Sequence, residues 1–316
     1  MLRTVSAATR AAVASGLALL AGCQIVLDLS EKVYVADAGT GGEAGATSND
    51  GGASSDDSGP TPEGGDASPV PVTCPPGAKG PTMVRFGQPD AGGGVICVDA
   101  TEVTRGQYAQ FLGATNGGID VAGQPPECSW NTTYQPGPGC ETNSTFYTCV
   151  EPVCGRLPQA CVDWCDASAY CRWAGKRLCG APGRGAASLT SVTDPARSQW
   201  TAACTSGGKH PFPYGESYVP FTCPDDGDGS GQRVPKQVAT FPDCQSKEPA
   251  FKGVFDLSGN VAEWEDACIA SSGSTDACRI RGGAFSDGEE RVRCDVSMRV
   301  QRDFTDPEIG FRCCAP

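Results

Sequence analysis

Histidine is almost missing from this chain: among 316 residues there is one, His210. A three-histidine metal centre is therefore excluded by inventory, and a Ser-His-Asp triad would have to rest on His210 alone. Positive charge is also scarce, with 24 Lys and Arg against 37 Asp and Glu and a formal net charge of -13. That balance argues against nucleic acid as a partner, since its phosphates call for basic patches. The N-terminal apolar run, Ala11 to Leu20, is too short to cross a bilayer. No Cys-x-x-Cys unit occurs, so the paired-knuckle spacing of a zinc site is absent.

What is present begins with an export signal. Arg3 and Arg10 precede that apolar run, and Leu20-Ala21-Gly22-Cys23 follows it, giving the charged, hydrophobic and small-residue regions of a cleaved leader. The tetrapeptide resembles a bacterial lipobox. Residues 1–22 are then a lipoprotein signal peptide and Cys23 the lipidated first residue of the mature chain, held at a membrane by its acyl chains. Gln24, where an aspartate would retain the protein at the inner membrane, implies an outer-membrane lipoprotein facing the periplasm or the cell surface. The segment after it is rich in Gly, Ser, Asp, Thr and Pro from Ala36 to Ser68. So few large apolar side chains cannot offset chain entropy, so residues 23–73 read as a disordered tether and residues 74–316 as the folded domain.

Of the 19 cysteines, 18 remain once Cys23 is set aside, an even number that fits a disulfide framework in an exported protein. Val95 to Val98 is a short β-type run. Thr104 is placed to cap a helix over Thr104–Leu112, and Asp166–Trp173 reads as a second helix ended by Gly175. With 42 Gly and 25 Pro, most of the rest should be ordered loop fixed by cross-links. Cys74 with Cys97, Cys223 with Cys244 and Cys268 with Cys278 are close enough to bridge locally, although spacing leaves connectivity open.

Five segments, in order, then carry a resemblance: Thr101-Glu102-Val103-Thr104 with Gln107, Tyr108 and Phe111; Val162-Asp163-Trp164 through Leu178; Trp200 to Cys204; Phe255 to Trp264; and Arg281-Gly282-Gly283 with Gly310-Phe311-Arg312-Cys313. Together they resemble the formylglycine-generating enzymes, or sulfatase-modifying factors, over roughly residues 80 to 316. The resemblance implies an α+β, C-type-lectin-like, sulfatase-modifying-factor fold, loop-rich and disulfide-rich, with two helices and twisted, mostly antiparallel strands. It also implies the pairs Cys171–Cys313 and Cys204–Cys294. A structural calcium ion would be held by Asp256, Gly259, Val261 and Glu263, hard oxygen donors on a tight turn; without it, Asp256 would cap its turn and Glu263 would pair with an arginine. Asp226-x-Asp228-x-Ser230-Gly231 has the first half of an EF-hand loop, but Gln237 stands where its closing glutamate belongs.

Catalysis is where the chain departs from the family. Active members bind copper through two cysteines between the Arg-Gly-Gly turn and the arginine-cysteine segment, chemistry that needs soft thiolates. Here that stretch offers Asp287, Glu289 and Glu290, and its one thiol, Cys294, belongs to the Cys204 pair. No catalytic residue is assigned, and copper is not expected. The favoured expectation is a surface-anchored, non-catalytic module holding a peptide, a glycan or a partner protein. Its alternatives are a divergent copper- or metal-dependent oxidase working through Cys313 or Cys314, and a purely structural envelope lipoprotein. Trp130, Tyr134, Tyr214 and Tyr218 are candidates to stack on sugars, with core packing the more ordinary use. Asn131 and Asn143 head glycosylation sequons.

Overall fold

The computed structural model describes residues 74–315 apart from 88–94, 117–122, 138–139, 141–148, 184, 192 and 228. The leader, Cys23, the tether, Asn143 and Asp228 lie outside the described residues.

Local chemistry sets the first helix. Thr104 accepts from the Gln107 amide at 3.3 Å while its own amide donates to Gln107 Oε1 at 2.9 Å, so a reciprocal capping box opens α1 (Arg105–Ala114). Tyr108 and Phe111, one turn apart, point from it into the core. Helix α2 (Trp164–Trp173) starts two residues earlier than the apolar pattern indicates, because Asp163 is its cap and accepts from the Asp166 amide at 2.9 Å. A third helix, α3 (Gln199–Cys204), corrects the expectation of two; Ser198 caps it through the Thr201 amide at 3.0 Å.

Among the described residues eight strands form two sheets: β1 (Met83–Gly87), β2 (Val95–Asp99), β3 (Arg177–Leu178), β4 (Ala262–Cys268), β5 (Ala277–Arg281), β6 (Ser297–Gln301), β7 (Ile309–Phe311) and β8 (Cys313–Ala315). One sheet runs β1-β2-β8-β3 with antiparallel pairs throughout. The other runs β6-β5-β4-β7, antiparallel except for the parallel β4–β7 pair, which places Glu263 opposite Gly310. The fold is therefore α+β and loop-rich.

The larger core packs α1 and α2 against the second sheet through an aromatic stack. Tyr108 lies 5.7 Å from Tyr170, and Tyr170 lies 5.3 Å from Phe311 between ring centroids. A smaller core joins Phe86, Ile96, Val98, Trp200, Phe251 and Leu257 around α3 and the first sheet. Nine disulfides consume every cysteine from Cys74 to Cys314. Cys171–Cys313 lies within the larger core, and Cys179–Cys314 and Cys204–Cys294 lie within the smaller one. Cys313 and Cys314 are adjacent in β8, so their side chains leave opposite faces of the strand, one toward α2 and the other toward Cys179 just past β3.

Candidate functional site

The chain between Phe255 and Glu263 makes a tight, buried turn. Asp256, Gly259 and Asn260 all adopt positive φ, at 60°, 81° and 60°. Glycine is needed at 259, where a Cβ would run into the Pro224 carbonyl. The Asn260 amide donates to that carbonyl at 2.6 Å, and the Gly259 amide to Gly282 in the Arg-Gly-Gly segment at 2.8 Å. Two of the resemblance-bearing segments are thus stitched together by backbone.

Three carboxylates and one guanidinium meet at this turn, all buried. Glu263, on β4, accepts from Arg312 Nε and Nη2 at 2.9 and 2.7 Å through Oε1. Its Oε2 accepts from Arg312 Nε at 2.7 Å and from the Trp200 indole at 2.8 Å. Arg312 also donates to the carbonyls of Asp99 and Phe255, at 3.0 and 2.8 Å. Asp256 accepts the Ala239 amide on Oδ2 at 2.6 Å, while its Oδ1 is buried with no partner. Glu102, in the segment leading to α1, accepts Asn260 Nδ2 on Oε1 at 2.9 Å, and its Oε2 is likewise buried without a partner. Burial pushes the Asp256 carboxyl up to about 7, against the pull of the Ala239 amide and Arg312. Burial, and then the Asp256 charge, hold Glu102 well above the usual carboxylate range.

A hard cation would find this turn only partly ready. Asp256, Gly259 and Val261 share the turn, and Asp256 has a free oxygen. Glu263 is engaged by three N–H groups, Arg312 Nε and Nη2 and the Trp200 indole, with the single Nε hydrogen shared between its two oxygens. Among the described residues no three His, Cys, Asp or Glu side chains form a metal cage.

The loop where active relatives of the resembled family keep their thiols is occupied by its own internal bonds. Asp287 Oδ2 accepts the Ala284 amide at 2.9 Å and Oδ1 faces Arg291 at 3.5 Å, while Glu289 and Glu290 are exposed. Cys294 is bonded to Cys204. His210 faces Glu216 at 2.7 Å and Glu248 at 3.6 Å. Of the EF-hand-like residues, Asp226 lies 3.7 Å from Arg233 and Ser230 bonds within its loop.

A cleft of about 250 Å³ opens elsewhere, lined by Trp130, Asn131, Thr133, Asp163, Asp166 and Asp303 among others. Asn131 is buried and donates to Asp166 Oδ1 at 2.7 Å, so the sequon asparagine is a structural residue. Burial raises Asp163 to about 7, and burial followed by the Asp163 charge raises Asp166 well above its ordinary value. Trp130 is half-buried, Tyr134 and Tyr214 are core residues, and Tyr218 packs 6.0 Å from Phe212. Sequence reasoning missed the roles of Glu102 and Asp166; neither carries a local signal, because each is defined by an asparagine distant in the chain.

The family model for sulfatase-modifying factor enzyme 1-like domains matches residues 96–315. The chain is 26% identical over 208 residues to the inactive C-alpha-formylglycine-generating enzyme 2 of Mus musculus, covering 60% of this chain and 55% of that protein. It is 26% identical over 182 residues to the formylglycine-generating enzyme of the same species, covering 49% and 43%. The chain thus spans about half the length of the curated relatives it matches. Among solved structures, PvdO from Pseudomonas aeruginosa aligns over 73% of this chain and 90% of its own at 19% identity and a TM-score of 0.48.

Proposed function

We propose a non-catalytic, ligand-binding role for this chain, which belongs to the sulfatase-modifying factor enzyme 1-like family. One observation carries the reading: every cysteine from Cys74 to Cys314 is in a disulfide, and Asp287 stands in the loop where an active member keeps a thiol. Copper-dependent oxygen activation on paired thiolates has no sulfur to use. An oxidase built on Cys313 or Cys314 would likewise lack a free thiol, which counts against it. A relative named as inactive among those matched agrees with this reading.

In the proposal, the domain is held through Cys23 and its tether at the outer membrane of a bacterial envelope, where it binds a peptide, a glycan or a partner protein. Its binding face is the cleft beside Trp130, which combines an aromatic wall with polar groups. The Asp287 loop is the weaker candidate, since its carboxylate is committed to its own turn. That commitment is also what favours a second reading, a structural envelope component with no ligand.

Thiol titration of the mature protein in denaturant without reductant tests the loss of catalysis; no reactive thiol is expected. Two titratable thiols, or copper-dependent aldehyde formation on a cysteine peptide, would overturn it. Binding is tested on peptide and glycan arrays with the full chain and its Trp130→Ala variant. A hit lost in the variant supports the module, and the absence of any hit favours the structural reading.

A further inference from the structure

Eight of the nine disulfides have at least one buried cysteine, and in Cys149–Cys154 neither is buried. We infer that Cys149–Cys154 is a thiol–disulfide exchange site whose reaction partner is an external dithiol, with the guanidinium of Arg105 stabilising Cys149 as the leaving thiolate. The inference is separate from the binding role proposed above and does not depend on it.

Three observations support it. Access comes first: both cysteines are half-buried, and the four residues between them, Val150 to Val153, are all exposed, Val150 to 78%. In every other pair at least one sulfur would have to leave as a thiolate from a buried position, where desolvation disfavours the charge. Charge comes second. Arg105 Nη1 lies 3.7 Å from Cys149 Sγ, and a guanidinium there favours the thiolate and so speeds its departure. Arg105 is the first residue of α1, and the loop packs on that same turn, since a Cβ on Gly106 would meet the Gly155 carbonyl at 2.9 Å. The one charged residue of the loop, Glu151, accepts from the Gly155 amide on Oε2 at 3.2 Å. Third, the bond joins residues only 5 apart in sequence, against 10 to 142 in the other eight, so it restrains the least chain and opening it leaves both cores cross-linked.

A cleft of about 270 Å³, lined by Arg105, Leu112, Glu151 and Gly155 among others, gives an incoming thiol room next to Cys154. The partner's thiolate attacks Cys154 Sγ. A sulfur–sulfur bond forms between partner and Cys154 while the Cys149–Cys154 bond breaks, and its electron pair leaves on Cys149 Sγ beside Arg105. The partner's second thiol, as thiolate, then attacks the partner's own sulfur in that mixed disulfide, and the electron pair leaves on Cys154. The partner ends as a disulfide, oxidised by two electrons. Cys149 and Cys154 end as thiols, holding those two electrons and the two protons that the dithiol gave up.

The test is timed reduction of the native full chain with dithiothreitol, quenched with iodoacetamide and mapped by mass spectrometry. Of the cysteines from Cys74 to Cys314, Cys149 and Cys154 should be alkylated first, about tenfold or more ahead of any other. With glutathione as a single-thiol probe, the adduct should sit on Cys154. Arg105→Gln should slow the opening of this bond about threefold or more, Arg105→Lys should restore most of the rate, and the other eight bonds should open as in the parent. If Cys74–Cys97 or Cys268–Cys278 opens as fast, or if Cys149–Cys154 survives until the protein unfolds, the exchange site is refuted. If glutathione settles on Cys149, or Arg105→Gln reacts as the parent does, the role given to Arg105 is refuted. The measurement on the parent decides the site even if a variant fails to fold.

Discussion

The paired cysteines at the end of the chain allow a quantitative prediction. Cys171–Cys313 and Cys179–Cys314 span 142 and 135 residues, but Cys204–Cys294 short-circuits both loops. Following the chain through that bridge, either one alone closes an effective loop of roughly 50 residues, worth about 4 kcal/mol in the chain-entropy account. With both present, the second closes only the few residues between Cys171 and Cys179 and between Cys313 and Cys314, roughly ten in all and about 2.7 kcal/mol. Replacing either pair by alanine should therefore cost about 2.7 kcal/mol, and replacing both should cost about 7 kcal/mol. The double loss exceeds the sum of the singles by about 1.5 kcal/mol, a coupling free of the sulfur-packing losses that the singles and the double share. Urea unfolding monitored by tryptophan fluorescence measures it, provided the slope with denaturant is checked in each variant. Additive losses would refute the reasoning, since they would mean that the two bridges do not restrain the same loop.

Two further outcomes follow from the buried polar groups and the close packing. Asp163 has its pKa raised from 3.8 to about 7 by burial, so the folded state holds a proton that the unfolded state releases. Its contribution should then decline as pH rises from about 4 to about 7 and stay flat above. Asparagine caps helices as well as aspartate, so Asp163→Asn should match the parent near pH 4 and exceed it at pH 8, by up to about 4 kcal/mol for a pKa raised from 3.8 to about 7. Parallel pH profiles would refute this. Gly310→Ala places a Cβ 2.5 Å from the Gln159 carbonyl and 2.9 Å from Val261. It should lower stability by about 1–3 kcal/mol through overpacking, and an unchanged midpoint in thermal unfolding would show that β7 can shift.

Much of the fold was legible because its markers are local. The Thr104–Gln107 box, the ordered motifs and the glycine-rich turns announce α1, the α+β class and the loop-rich character within a few residues of chain. Helix α3 was not legible as a helix, since six residues give too little periodicity to read. The early start of α2 was masked because its cap lies outside the apolar repeat. Partners for Cys128, Cys140, Cys149 and Cys179 depend on loop paths that spacing does not encode. At the candidate site the limitation is the same. Glu102 looks like any glutamate before a helix cap, and only its bond to Asn260, 158 residues away, reveals where it stands.

Strand β8 follows every other described element in the chain and yet lies second from the edge of its sheet, between β2 and β3. That layer therefore closes only once residues 313–315 are in place, and without them β2 and β3 would face a gap with Cys171 and Cys179 both widowed. A chain cut short of Cys313 would present two stray sulfhydryls to whatever quality control surveys it.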